Sequence, residues 1–157
     1  MNAITIRQAE TETDMAAARE IFREYEKWLD LDLCFQGFED ELKNLPGKYA
    51  PPAGRLYLAE FDGRVAGCIA LRPLGPETCE MKRLFVRESF RGMNIGRLMI
   101  ERLIEDARQA GYRVMRLDTF PPKMGKAVQL YESYGFEEIP AYYNNPNEGV
   151  LFMELKL

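Results

Sequence analysis

The feature that most constrains this chain is an apolar strand that runs into a glycine-punctuated basic turn and then into an amphipathic helix. Arg83-Leu84-Phe85-Val86 ends the strand, Arg91-Gly92-Met93-Asn94-Ile95-Gly96-Arg97 makes the turn, and Leu98-Met99-Ile100 opens the helix. That order brings unpaired backbone N–H groups and the positive end of a helix dipole to the turn, which is the physical recipe for an anion site. Gly92 and Gly96 leave room for a phosphate against the backbone, and Arg87, Arg91 and Arg97 carry charge of the right sign. Two common phosphate motifs are absent. Gly125-Lys126 is followed by Ala127, and Phe120 stands where a P-loop needs its first glycine; no G-x-G-x-x-G follows a strand. Taken alone, the segment is equally well explained as an ordinary strand-to-helix turn with its arginines in water.

About 30 residues further on stands Ala127-Val128-Gln129-Leu130-Tyr131-Glu132-Ser133-Tyr134-Gly135-Phe136, at the distance one helix and one strand would span. The two segments together, in this order, resemble the GNAT superfamily of N-acetyltransferases. The turn is similar to its pyrophosphate loop Q/R-x-x-G-x-G/A, and the second run to its A-x-x-L-Y-x-x-x-G-F. Asn94 departs from the usual glycine, but asparagine tolerates left-handed backbone. The resemblance spans essentially the whole chain. It implies acetyl-CoA as co-substrate, its pyrophosphate on Arg91, Gly92, Met93, Asn94, Ile95, Gly96 and Arg97. It also implies that the pantetheine arm pairs with the backbone of Leu84, Phe85 and Val86. Lys126 is a candidate for the 3′-phosphate, with a solvated surface lysine as the plainer reading. Met124 stands where the family often has asparagine, so that amide contact is missing.

Composition sets the limits. With 157 residues, 46% hydrophobic and 29% charged, the chain reads as a single globular domain, residues 1–157. No apolar run approaches a membrane span of about 20 residues, and no secretory leader is legible. Cys34, Cys68 and Cys79 are too few and too scattered for a disulfide framework, so a cytoplasmic setting is expected. The chain has no histidine, which removes histidine triads, bases and metal sites, and no metal is expected. A net charge of −4 argues against nucleic acid and suits a cationic acceptor. A homodimer is left open.

The periodicities predict strands at 3–7, 55–61, 64–73, 79–86, 113–119, 136–139 and 149–155, and helices around 14–29, 38–45, 95–110 and 123–134. Asp62-Gly63 between two apolar runs predicts a tight hairpin; Thr11 or Thr13 is the candidate cap of the first helix; Gly111 is the candidate stop of the third. The order β-α-α-β-β-β-α-β-α-β-β implies a mixed α/β sheet with helices on both faces. By resemblance this is the acyl-CoA N-acyltransferase fold, in which the fourth and fifth strands splay apart.

Acetyl transfer to a primary amine needs a deprotonated amine, a donor for the thioester oxygen and help for the leaving sulfur. Tyr131 matches the family's tyrosine and is the candidate donor to sulfur; its spacing with Ala127, Leu130 and Tyr134 equally describes a core-facing stripe. Glu80, on the fourth strand, is the candidate base, with burial expected to raise its pKa; pairing with Lys82 or Arg83 is the structural alternative. Tyr25, Trp28, Phe35, Tyr142, Tyr143 and Asn144 are candidates for the acceptor site. An aromatic cage with Glu24 or Glu26 would suit a cation, although core packing explains Tyr25 and Trp28. With no histidine to activate Cys79, direct attack of the amine is expected rather than an acetyl-enzyme. The alternatives are a non-catalytic acyl-CoA-binding module, a different acyl group or acceptor, and a partner-binding domain with a vestigial cleft.

Overall fold

A computed structural model describes residues 3–31, 33 and 37–157. Candidate Phe35, like Cys34, lies outside the described residues. The chain order is β1 (Ile4–Gln8), α1 (Glu12–Leu29), α2 (Phe38–Lys43), β2 (Arg55–Phe61), β3 (Arg64–Pro73), β4 (Thr78–Val86), α3 (Ile95–Gln109), β5 (Val114–Thr119), α4 (Pro121–Ser133), β6 (Glu137–Ile139) and β7 (Leu151–Lys156). One seven-stranded sheet forms, in the order β1-β2-β3-β4-β5-β7-β6. All neighbours are antiparallel except β4 and β5.

The central strands alternate between two apolar layers. Leu56, Leu58, Cys68 and Ala70 face α1 and α2, packing on Ile21, Phe22, Phe38 and Leu42. Tyr57, Ala59, Ile69 and Leu71 face the other way, onto Met99, Ile100 and Leu103 of α3. The period-two and 3.6-residue patterns therefore meet face to face on both sides of the sheet. Asp62 and Gly63 both take positive φ, 50° and 78°, as a two-residue hairpin turn requires. Gly111 follows α3 at φ 97°, a conformation open to glycine at little cost.

Two departures shape the site. α4 begins at Pro121, two residues before the expected start at Lys123, because proline suits the first helical turn; its regularity breaks at Met124 (φ −119°, ψ 29°). Of the apolar stripe on α4 only Tyr131 is buried; Ala127, Leu130 and Tyr134 are half-buried. In β4, Cys68 opposes Phe85 while Ala70 opposes Lys82, so β4 carries one extra residue there. The bulge centres on Arg83, at φ 61°. Its carbonyl accepts a bond from the buried Cys68 thiol, and its guanidinium binds both oxygens of Glu41 on α2 at 2.9 Å.

Candidate active site

The turn after β4 folds as its glycines demand. Gly92 sits at φ 85° with open space where a Cβ would be. Asn94 sits at φ 63° as the N-cap of α3, and its side chain makes no capping bond. The helix thus presents its first N–H groups without a side-chain lid. Arg91 donates from Nε to the Val86 carbonyl at 2.9 Å. Its guanidinium lies 5.1 Å from the Trp28 ring and 5.6 Å from the Phe85 ring, both within cation–π range. Ile95 is buried and anchors the helix, Met93 and Gly96 are half-buried, and Arg97 is exposed. Arg87 is committed elsewhere: it grips both oxygens of Glu24 at 2.9 and 2.7 Å.

The second part of the site is the parting of β4 from β5. The two strands pair only from Thr78 to Glu80, opposite Val114 to Arg116. Beyond that point β5 bonds only to β7, and the β4 edge from Met81 to Val86, including Leu84 and Phe85, bonds only to β3. A small opening there is lined by Tyr25, Lys82, Leu84, Asp118 and Tyr131, side chains from both faces of the sheet. Tyr131 is 3% exposed, its ring lies tilted against Phe136 at 5.6 Å, and its hydroxyl makes no hydrogen bond among the described residues. Burial pushes the phenol well above its ordinary pKa, so Tyr131 stays protonated. Tyr25 is likewise raised, to about 12, mainly by burial.

The third part is a cavity of about 550 Å³ between α2, the segment before β2 and the loop before β7. Its lining includes Glu41, Tyr49, Arg72, Lys82, Arg83, Tyr143 and Asn144. Lys82 and Arg83 line both this cavity and the opening in front of Tyr131, so the two spaces meet at the bulge.

Glu80 requires a correction. It is 1% exposed and does not line the cavity; it lies behind the wall. One oxygen accepts from Arg72 Nε at 2.7 Å and lies 3.7 Å from Lys82 Nζ, while the other accepts from the Tyr142 hydroxyl. Burial alone would raise its pKa, as the sequence suggested. Lys82, Tyr142 and Arg72 together outweigh burial and hold the carboxyl below its ordinary range. The expected rise of the Glu80 pKa is therefore reversed in the folded chain. Lys82 shifts the other way from an exposed lysine: burial, then Arg83, push its ammonium pKa down.

The aromatic cage is also redistributed. Tyr142, Tyr143 and Phe152 form an edge-to-face cluster with centroids 5.2–5.5 Å apart. Tyr143 donates to Asp118 and accepts from Asn145 Nδ2 at 2.9 Å. Trp28 sits with Arg91 at the turn rather than with this cluster, and Glu24 is spent on Arg87. Tyr25 reaches the opening, and Asn144 lines the cavity from an exposed position. Lys126 is exposed on α4. Arg72 was not anticipated. Counting back equally from the turn between β3 and β4 places it opposite Glu80, and that symmetry was the available signal.

Among the described residues no helix is long and apolar enough to cross a membrane. Residues 15–136 match the model of the Acetyltransferase (GNAT) family. An uncharacterised N-acetyltransferase from Schizosaccharomyces pombe is 38% identical over 98% of this chain and 95% of its own length. Another, from Dictyostelium discoideum, is 35% identical over 87% of this chain and 92% of its own. A protein from Salmonella typhimurium, solved with its cofactor acetyl-CoA, superposes with a TM-score of 0.67 at 23% identity, covering 98% of this chain and 94% of the other. An uncapped helix start, a strand pair that parts and a cavity meeting the gap thus coincide with a family match across most of the sequence, and the chain belongs to the GNAT family of acetyl-CoA-dependent N-acetyltransferases.

Proposed function

We propose that residues 1–157 act as one catalytic unit that moves an acetyl group directly to a primary amine, with both substrates bound together. The observation that carries this reading is the parting of β4 and β5 beyond Glu80, which leaves the β4 edge from Leu84 to Val86 without a partner strand on that side, the Val86 carbonyl being met there by Arg91. A bare strand edge pairs with whatever extended chain is offered, and a pantetheine arm is such a chain. The uncapped start of α3 takes the pyrophosphate on the N–H groups of the turn, with Gly92 and Gly96 giving room.

Bound acetyl-CoA supplies a thioester whose carbonyl carbon is the electrophile. The amine nitrogen forms a bond to that carbon, the carbon–sulfur bond breaks, and the electron pair leaves on sulfur. Tyr131 stays protonated and donates a hydrogen bond to the sulfur. The proton on the attacking nitrogen passes to solvent through the cavity that meets the gap. Glu80 is a positioning residue that fixes Lys82, Arg72 and Tyr142. Cys79 is fully buried and its thiol is pushed up to about 12 by burial, which disfavours a covalent acetyl-cysteine. The free thiols of Cys68 and Cys79 suit a reducing, cytoplasmic setting.

The test is Tyr131→Phe in single turnover with saturating acetyl-CoA. The ring and its packing on Phe136 remain, so the melting temperature should hold. The expected rate loss is about 10²–10⁴-fold, the usual worth of a positioned acid or donor. A normal rate would make Tyr131 a packing residue, and amine-independent acetylation of the protein would replace direct transfer with a covalent route.

A further inference from the structure

The cavity that meets the gap is lined by four cationic side chains, Lys48, Arg72, Lys82 and Arg83, against two carboxylates, Asp40 and Glu41. Glu41 is already bound through both oxygens to Arg83. Behind the wall, the single carboxylate of Glu80 is shared between Arg72 and Lys82. The floor of the cavity therefore keeps an excess of positive charge, opposite to what the chain's net charge of −4 suggests.

Arg72 is the best-organised of these groups. Its Nε donates to Glu80, which is 1% exposed, so the guanidinium plane is fixed from behind. Among the described residues neither terminal nitrogen of Arg72 makes a hydrogen bond, and the side chain is 26% exposed. A guanidinium held by Nε at a cavity wall, with its two Nη groups not engaged by hydrogen bonds, is a fork for a planar anion with two oxygens. Arg72 lines the cavity but not the opening, whereas Lys82 lines both. A ligand anchored on Arg72 thus extends toward the gap where the acetyl group arrives.

We propose that the acceptor is a small molecule bearing both a primary amine and a carboxylate, its carboxylate bound by Arg72 and its amine directed past Lys82 toward the gap beside Tyr131. This deepens the acetyl-transfer reading and rests on it. It replaces the cationic acceptor expected from net charge, because local charge at the binding floor, not the sum over the chain, sets ligand sign.

The experiment compares acetyl transfer to α-, β- and γ-amino acids and amino dicarboxylic acids with transfer to their amides, to matched alkylamines and polyamines, to aminoalkyl phosphonates and to peptides with a free N-terminus. Acetyl-CoA binding is measured in parallel by calorimetry. The expected result is a kcat/KM for at least one carboxylate-bearing amine about 10–100-fold above that of its amide, the range for losing a charged hydrogen-bond partner. Arg72→Lys keeps the charge but cannot serve Glu80 and the ligand together; it should lower the ratio of kcat/KM for the amino acid to that for its amide about 10-fold. Should burial of Glu80 unsettle that variant, the neutral pair Arg72→Gln with Glu80→Gln is read by the same amino acid-to-amide ratio, which should fall whatever happens to the common rate. Equal or better transfer to amides, polyamines, phosphonates or peptides overturns the carboxylate assignment and leaves acetyl transfer standing. Tight acetyl-CoA binding with no transfer to any carboxylate-bearing amine overturns it as well. Failure to bind acetyl-CoA overturns the underlying reading itself.

Discussion

The two long helices that follow the first and fourth strands begin in opposite ways. At the start of α1, Thr11 accepts the N–H of Asp14, and Asp14 accepts back from the N–H groups of Glu10 and Thr11. Arg7 on β1 then clamps both oxygens of Asp14 at 2.7 and 2.9 Å. At the start of α3, Asn94 turns through a left-handed conformation and caps nothing. Both ends carry the same orphan N–H groups and the same positive dipole. One is closed by the chain's own side chains and stabilises the fold. The other is left uncapped by any side chain, as the proposed pyrophosphate site requires. The contrast separates a helix start that the fold closes from one that it leaves open.

The sharpest way to break this contrast is Gly96→Val. A Cβ at Gly96 would touch only Val86 Cγ2, at an ordinary 3.8 Å, so the fold should tolerate it. Acetyl-CoA affinity should fall on the order of 100-fold, about 2.7 kcal/mol, with the melting temperature nearly unchanged. Calorimetric titration decides; an unaltered Kd would mean the open end is not the ligand's.

At the closed end the pattern should invert. Asp14→Ala removes a buried carboxylate with charge-assisted bonds and should cost about 2–3 kcal/mol in urea unfolding, while Kd for acetyl-CoA stays within twofold. The same carboxylate predicts a pH dependence. Hydrogen bonding to Arg7, against the opposing effect of burial, holds Asp14 well below the ordinary carboxyl range. Its contribution is therefore complete above the unfolded value of about 3.9 and is lost as pH falls below it. Stability curves for wild type and Asp14→Asn should converge on acidification from pH 5. Parallel curves would assign the acid sensitivity elsewhere.

Smaller still, Thr11→Ala should cost about 1 kcal/mol, the usual worth of a helix cap, again without effect on ligand. The smallest effect belongs to Asn94→Gly, which restores the residue the family prefers. Since α3 gains nothing from the asparagine side chain, stability should move by only a few tenths of a kcal/mol and affinity by less than about threefold. A large loss there would reveal that the amide of Asn94 itself meets the ligand.

The parts legible in the sequence are those decided by neighbours along the chain. Asp62-Gly63 fixes the β2–β3 hairpin to the residue, Thr11 signals the start of α1, and Gly92 with Gly96 announces the turn. What sequence did not give depends on partners far away. The Glu80 carboxyl is held below its ordinary range by Lys82, by Tyr142, 62 residues on, and by Arg72. Trp28 has the spacing of a core residue, yet it serves the turn because Arg91 lies across its ring. The sign of the cavity was hidden for the same reason: its cations come from separate strands and loops, and only folding sums them.

The bulge at Arg83 has one more consequence. Before it, Glu80 and Lys82 look toward α2 while Cys79 and Met81 look toward α3; after it, Arg83 and Phe85 look toward α2 while Leu84 and Val86 look toward α3. The strand thus carries two reading frames joined at one residue. Deleting one residue between Lys82 and Phe85 would remove the bulge, leaving Phe85 opposite Cys68 but losing one of the two successive side chains that face α2; inserting one would send the downstream frame to the opposite face, putting Phe85 against α3. Point substitutions can drift through this strand one side chain at a time. Changes in its length cannot, whereas the loop walls of the cavity are free to lengthen. Diversification of acceptor choice in chains of this design is therefore expected to proceed by insertions around α2 and before β7, with β4 constant in length.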